Sequence, residues 1–135
     1  YKGGIPYDGW KSYQRIKEQI WYLGTYADEP NAVPVAFKDV TPDGKLIVGD
    51  VFLDTTLKNI RANGKIAVSA CNAQTFEGYQ IKGTATYITT GPIVDNFKKI
   101  VEDMFKGACT AKGALVITPE KVIVTTPGPD NKKVL

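Results

Sequence analysis

Between Asn31 and Lys65 the sequence reads NAVPVAFKDV, TPDG, KLIVGDVF and then LDTTLKNIRANGK. Two apolar runs are separated by a turn of hairpin length, with Pro42 at its second position. The second run leads directly into a short helix that starts near Asp54 and is ended by Asn63 and Gly64. A joint this short forces antiparallel pairing. Pro34 lies within the first run and has no N–H to give to a ladder, so its position is an edge, a bulge or a place facing a ligand.

The remaining segments extend the same pattern. Tyr1 to Tyr7 is irregular, and Asp8 is positioned to cap a helix from about Gly9 to Gln19. Its apolar side would hold Trp10, Tyr13, Ile16 and Ile20. IWYLGTY and KIAVSACNA read as strands, and FEGYQIKGTATYITT as a long strand kinked at Gly78 or Gly83. A second helix is expected from Pro92 to Lys106, with Ile93, Phe97, Ile100, Val101, Met104 and Phe105 on its apolar side. ALVITPEKVIVTT reads as two short strands broken at Pro119, and TPGPDNKKVL as an extended or partly mobile tail. Helices in these places do not make regular βαβ units. The expected class is therefore mainly β with flanking helices (α+β), an antiparallel barrel of six or seven strands, in one domain over residues 1–135.

Composition removes several kinds of chemistry. There is no histidine, hence no Ser-His-Asp or Cys-His nucleophile and no histidine-ligated haem or zinc. Any reactive centre is expected to come from a bound cofactor. The net charge of +3 is spread through mixed acidic and basic residues, which argues against nucleic acid as a partner. No run is apolar for long enough to span a bilayer and no signal peptide is evident. Cys71 and Cys109 then read as two reduced, buried thiols, and a cytoplasmic location is expected.

Three features carry the candidate site. A helix opening at Asp54, Thr55 and Thr56 offers unpaired amides, two hydroxyls and a partial positive charge to an anion. The same residues would serve equally as an ordinary cap. Ala32 to Val35 sets apolar side chains beside free backbone groups, which suits a flat heterocycle with polar edges but also an edge strand with a tolerated proline. Gly49 and Asp50 end the neighbouring strand, where an irregularity could admit a ring or a polyol chain, or simply form a bulge.

Taken in order, the N-x-V-P-V strand, the hairpin, a strand ending GD, xTTLxNIxxNxK, EGYQIKGTATY and ALVITPEKVIVTTPGP resemble the small FMN-binding split-barrel proteins related to pyridoxamine phosphate oxidase. The likeness runs from about Trp10 to Pro129. It implies a split β-barrel, a homodimer with one FMN per subunit at the interface, and hydride or electron transfer through that flavin. It further implies that Asn31, Ala32, Val33, Pro34 and Val35 line the isoalloxazine ring, and that Asp50 and Val51 lie near the ring or ribityl chain. Thr55 and Thr56 would hold the phosphate, and Gln80 is a further candidate. Relatives commonly place Lys or Arg just before the phosphate-binding threonine, where this chain has Thr55; Lys58, Arg61 or Lys82 could compensate. Trp10 could reach a pocket, and Thr110 or Lys112 could reach the partner's site. A deazaflavin-binding or non-redox module of the same fold is the alternative, as is a barrel whose groove is vestigial.

Overall fold

The TPDG turn forms as its residues dictate. The Gly44 N–H donates to the Thr41 carbonyl at 3.0 Å and Gly44 adopts φ 88°, which only glycine takes without strain. The computed structural model describes residues 10–135, with side chains from Gln14 onward. The expected Asp8 cap and the side-chain packing of Trp10 and Tyr13 lie outside the described residues.

The elements follow in the order α1 (Trp10–Glu18), β1 (Ile20–Tyr26), β2 (Pro30–Val35), β3 (Lys38–Val40), β4 (Leu46–Asp50), α2 (Thr55–Asn63), β5 (Lys65–Cys71), β6 (Gly78–Ile88), α3 (Pro92–Phe105) and β7 (Gly113–Val124). The strands form one seven-stranded sheet ordered β2-β1-β5-β6-β7-β4-β3, with every pair antiparallel. The sheet must be rolled. Its two edge strands, β2 and β3, are joined by Ala36 and Phe37 alone. Seven flat strands would set those edges about 29 Å apart, whereas two linking residues span at most about 11 Å. The roll is not closed by pairing, because β2 and β3 each end the strand order. A split barrel results.

The NAVPVAFKDV run is thus two strands, not one. Its corner is fixed by Gly49 N–H, which donates to the Phe37 carbonyl at 2.8 Å. Pro34 sits on the edge strand β2, as its missing N–H requires.

Alternation along the strands fills the barrel with Trp21, Leu23, Leu46, Val48, Val68, Ile81, Leu115 and Ile117, all fully buried. A second cluster lies between α3 and the outer side of β4 and β7, where Val94, Phe97 and Val101 meet Ile47, Val51 and Ala114. Every residue of β4 is consequently buried. The buried stripe of α3 is narrower than its apolar composition: Ile100 and Met104 are exposed because the sheet accepts only the i, i+3, i+7 row Val94, Phe97, Val101.

Two further expectations need correction. ALVITPEKVIVTT forms the single strand β7, because a register shift at Lys82/Gly83 absorbs the extra residue opposite and lets Pro119 pair with Gly83. The closing segment turns back on β7 instead of trailing away. Lys132 and Leu135 donate to the carbonyls of Val124 and Val122 at 2.7 and 2.9 Å.

Candidate functional site

The site begins with how α2 is held. Thr56, Asn59 and Asn63 lie on one side of this helix, and each makes a side-chain hydrogen bond to the β1–β2 hairpin. Asn31 Nδ2 donates to Thr56 Oγ1 at 2.8 Å, Asn59 Nδ2 to Thr25 Oγ1 at 3.1 Å, and Asn63 Nδ2 to the Tyr26 carbonyl at 2.7 Å. The asparagines in the NIRAN stretch therefore dock the helix. Gly64, at φ 71°, ends it with a bond from its N–H to the Ile60 carbonyl.

The approach to α2 is fixed from the other side by Asp50, which is 1% exposed. Its Oδ1 accepts from Leu53 N–H at 3.0 Å and its Oδ2 from the Tyr87 hydroxyl at 2.5 Å. Arg61 lies over the Tyr87 ring at 5.6 Å. Burial, then the bond to Asp50 and its charge, pushes the Tyr87 hydroxyl up to about 12. The folded state holds this proton more tightly than the unfolded chain. The resulting stabilisation is complete below about pH 10 and is lost as pH rises through about 12. The advantage of the wild type over Tyr87→Phe, read from denaturant midpoints, should hold steady to about pH 9 and shrink above it. An advantage growing with pH would contradict the bond.

Between these supports lies a groove of about 540 Å³ at the split of the barrel. One wall is Asn31, Val33, Pro34, Val35 and Phe37; the other is Val51, Phe52 and Leu53. Asp54, Thr55 and Thr56 form one end, and Phe105 of α3 joins the wall, edge-on to Phe37 with ring centroids 6.0 Å apart. At that end the Lys58 N–H is bonded to the Asp54 carbonyl at 3.0 Å. The amides before it have no intrahelical acceptor and face outward from the helix start. An apolar cleft of this volume with a few polar groups at one end is the usual form of a small-molecule site. A broader depression of about 1000 Å³ lies on the outer face of β1, β2, β5 and β6, with Lys65, Lys82 and Glu120 at its margin. It is an open sheet face, whereas the smaller groove gathers backbone amides and a hydroxyl at one point.

Seven expected residues are brought together in the groove: Asn31, Val33, Pro34, Val35, Val51, Thr55 and Thr56. Three are not. Ala32 points to the opposite side and borders the broad depression. The carboxylate of Asp50 is turned inward to Leu53 and Tyr87. Gln80 pairs with Ser69 and Ile123 in mid-sheet, away from the groove. The two threonines also differ. Thr56 is 1% exposed and its hydroxyl is engaged by Asn31, while Thr55 is partly open. Gly49 serves packing as well as the groove, since a Cβ there would lie 2.9 Å from the Phe97 ring. Cys71 and Cys109 are unpaired and only partly buried, against the expectation of buried thiols. Phe52, which is 80% exposed, and Phe105 were not foreseen; nothing local in the sequence ties residue 105 to residue 37.

The family model described as pyridoxamine 5'-phosphate oxidase matches residues 14–128. The chain belongs to the pyridoxamine 5'-phosphate oxidase family. An uncharacterised protein of Methanocaldococcus jannaschii is 35% identical over 127 residues, covering 89% of this chain and 82% of the relative. Among solved structures, HupZ of Group A Streptococcus superimposes with a TM-score of 0.75 at 22% identity, over 90% of this chain and 97% of that one. An FMN-binding protein from Syntrophomonas wolfei does so with a TM-score of 0.70 at 16% identity, over 88% and 92% of the two chains. At these identities the two structures speak for the fold. The split barrel is thus the family's architecture, and no helix among the described residues is long and apolar enough to cross a membrane.

Proposed function

We propose that the groove holds FMN and that the protein is a flavin-dependent oxidoreductase or electron-transfer protein, working as a homodimer in the cytoplasm. The observation that carries this reading is the meeting of an apolar edge strand and a helix start in one groove of about 540 Å³. The residues fit the group. Val33, Val35, Phe37 and Val51 provide a flat apolar bed, and Asn31, held by Thr56, presents an amide at its edge. The Thr55 hydroxyl and the first amides of α2 provide donors for a phosphate. Bound flavin would supply reversible hydride or electron transfer. The chain's own part is to bind and orient the ring, shield one face from water and hold the tail.

The reading agrees with the family match and with the FMN-binding relative from Syntrophomonas wolfei. Ile20, Tyr22 and Tyr26 expose an apolar row on the outer face of β1, at 47, 48 and 62%, and a second subunit would cover it. Two unpaired cysteines suit a reducing compartment.

Purified protein is expected to show the absorption bands of oxidised flavin, bleached by dithionite, and a solution mass near twice 14.7 kDa. A colourless protein that does not take up added FMN on titration would sink the proposal, and uptake of a deazaflavin alone would favour the deazaflavin-binding alternative.

A further inference from the structure

Resting on the flavin reading, we infer that Asp54 sets the groove's preference among flavins, making it nearly indifferent to whether the polyol tail is phosphorylated. Among the described residues that line the groove, Asp54 is the only one with a charged side chain. It occupies the N-cap of α2, is exposed, and makes no side-chain capping bond. Asp54 thus brings a negative charge to the end of the groove where a phosphate would arrive.

No cation lines the groove among the described residues, and Lys58, the nearest along the chain, stands one turn into α2. Arg61 lies over the ring of Tyr87. Lys82 borders the broad depression on the outer sheet face. Lys58 and Lys112 have exposed side chains outside the groove wall. A dianionic tail meets two opposed influences at this point. The helix amides and the Thr55 hydroxyl attract it, and the full negative charge of Asp54 repels it. A neutral polyol tail feels neither strongly, and its hydroxyls can donate to the same carboxylate. The chemical class accepted by the groove therefore includes unphosphorylated flavin, and the residue that admits it is Asp54.

The test is a titration of the full-length protein with FMN and with riboflavin, read by quenching of flavin fluorescence, for the wild type, Asp54→Asn and Asp54→Glu. Asparagine is as good an N-cap as aspartate, so the helix start is retained. The wild type is expected to bind the two flavins within about threefold of each other. Asp54→Asn should tighten FMN by about tenfold and leave riboflavin within about twofold, and the gain should shrink in about 1 M salt. Asp54→Glu should behave as the wild type. Flavin binding with the same FMN-to-riboflavin ratio in all three proteins would overturn the role of Asp54 and leave the flavin reading standing. So would a wild type that already prefers FMN by about a hundredfold. Failure of all three proteins to bind either flavin would overturn both.

Discussion

Trp21→Ala is expected to destabilise the protein by about 3–5 kcal/mol, the usual cost of deleting a buried indole. Trp21 is fully buried and is the largest of the fully buried side chains among the described residues. It does more than fill the barrel. Its Nε1 donates to the Ile16 carbonyl at 2.6 Å, which ties the end of α1 to the sheet. Lys38 Nζ lies 5.5 Å from the ring centroid, so the same side chain also touches β3 across the split. Alanine removes packing, a hydrogen bond and the contact between β1 and the edge strand β3 across the split. Guanidinium unfolding followed by far-ultraviolet circular dichroism should show a lower midpoint with an unchanged slope. A loss under about 1.5 kcal/mol would mean that the barrel can collapse around the gap and that the ring does not bridge the split as described.

Gly83→Ala should cost about 3 kcal/mol, although it adds a single methyl group. A Cβ at this position would lie 2.1 Å from the Thr118 carbonyl oxygen and 3.0 Å from its carbon. Both are backbone atoms of the neighbouring strand, so no side chain can swing aside. The bulge at Lys82/Gly83 brings the strands this close and lets Pro119 stay within β7. Relief requires the central pair β6–β7 to separate locally, or the register beyond the bulge to slip. A one-residue slip would send the inward row to the outer face. Denaturant unfolding gives the magnitude, and amide exchange at residues 81–86 and 115–122 gives the location. Wild-type stability in Gly83→Ala, or exchange that quickens only at distant strands, would be incompatible with the close approach.

Much of the site could be read from the sequence because its signals are local. Asp-Thr-Thr before an apolar run marks a helix start, TPDG marks a turn, and a proline within a strand marks an edge; each is a property of a few neighbouring residues. The same chemistry explains the errors. Pro119 reads as a breaker when it stands alone and is harmless opposite the bulge at Gly83, a residue remote in the chain. Ile100 and Met104 read as core residues by helical spacing, yet the sheet below α3 has room for one narrower row.

By itself, the sequence determined the helices, most of the strand segments, their antiparallel pairing and most of the segments that meet at the groove, because turn length, backbone propensity and apolar period act over a few residues; where NAVPVAFKDV divides and ALVITPEKVIVTT continues was decided by pairing with remote strands. Only the tertiary structure decided what each polar group does there. Asp50 was taken inward by Leu53 and Tyr87, Thr56 was engaged by Asn31, and Thr55 and Asp54 were left at the groove. Phe105 was delivered to Phe37 by the packing of α3. These outcomes depend on which groups rolling the sheet buries and which partners lie within about 3 Å when it does, and a buried polar group takes the partner that is there.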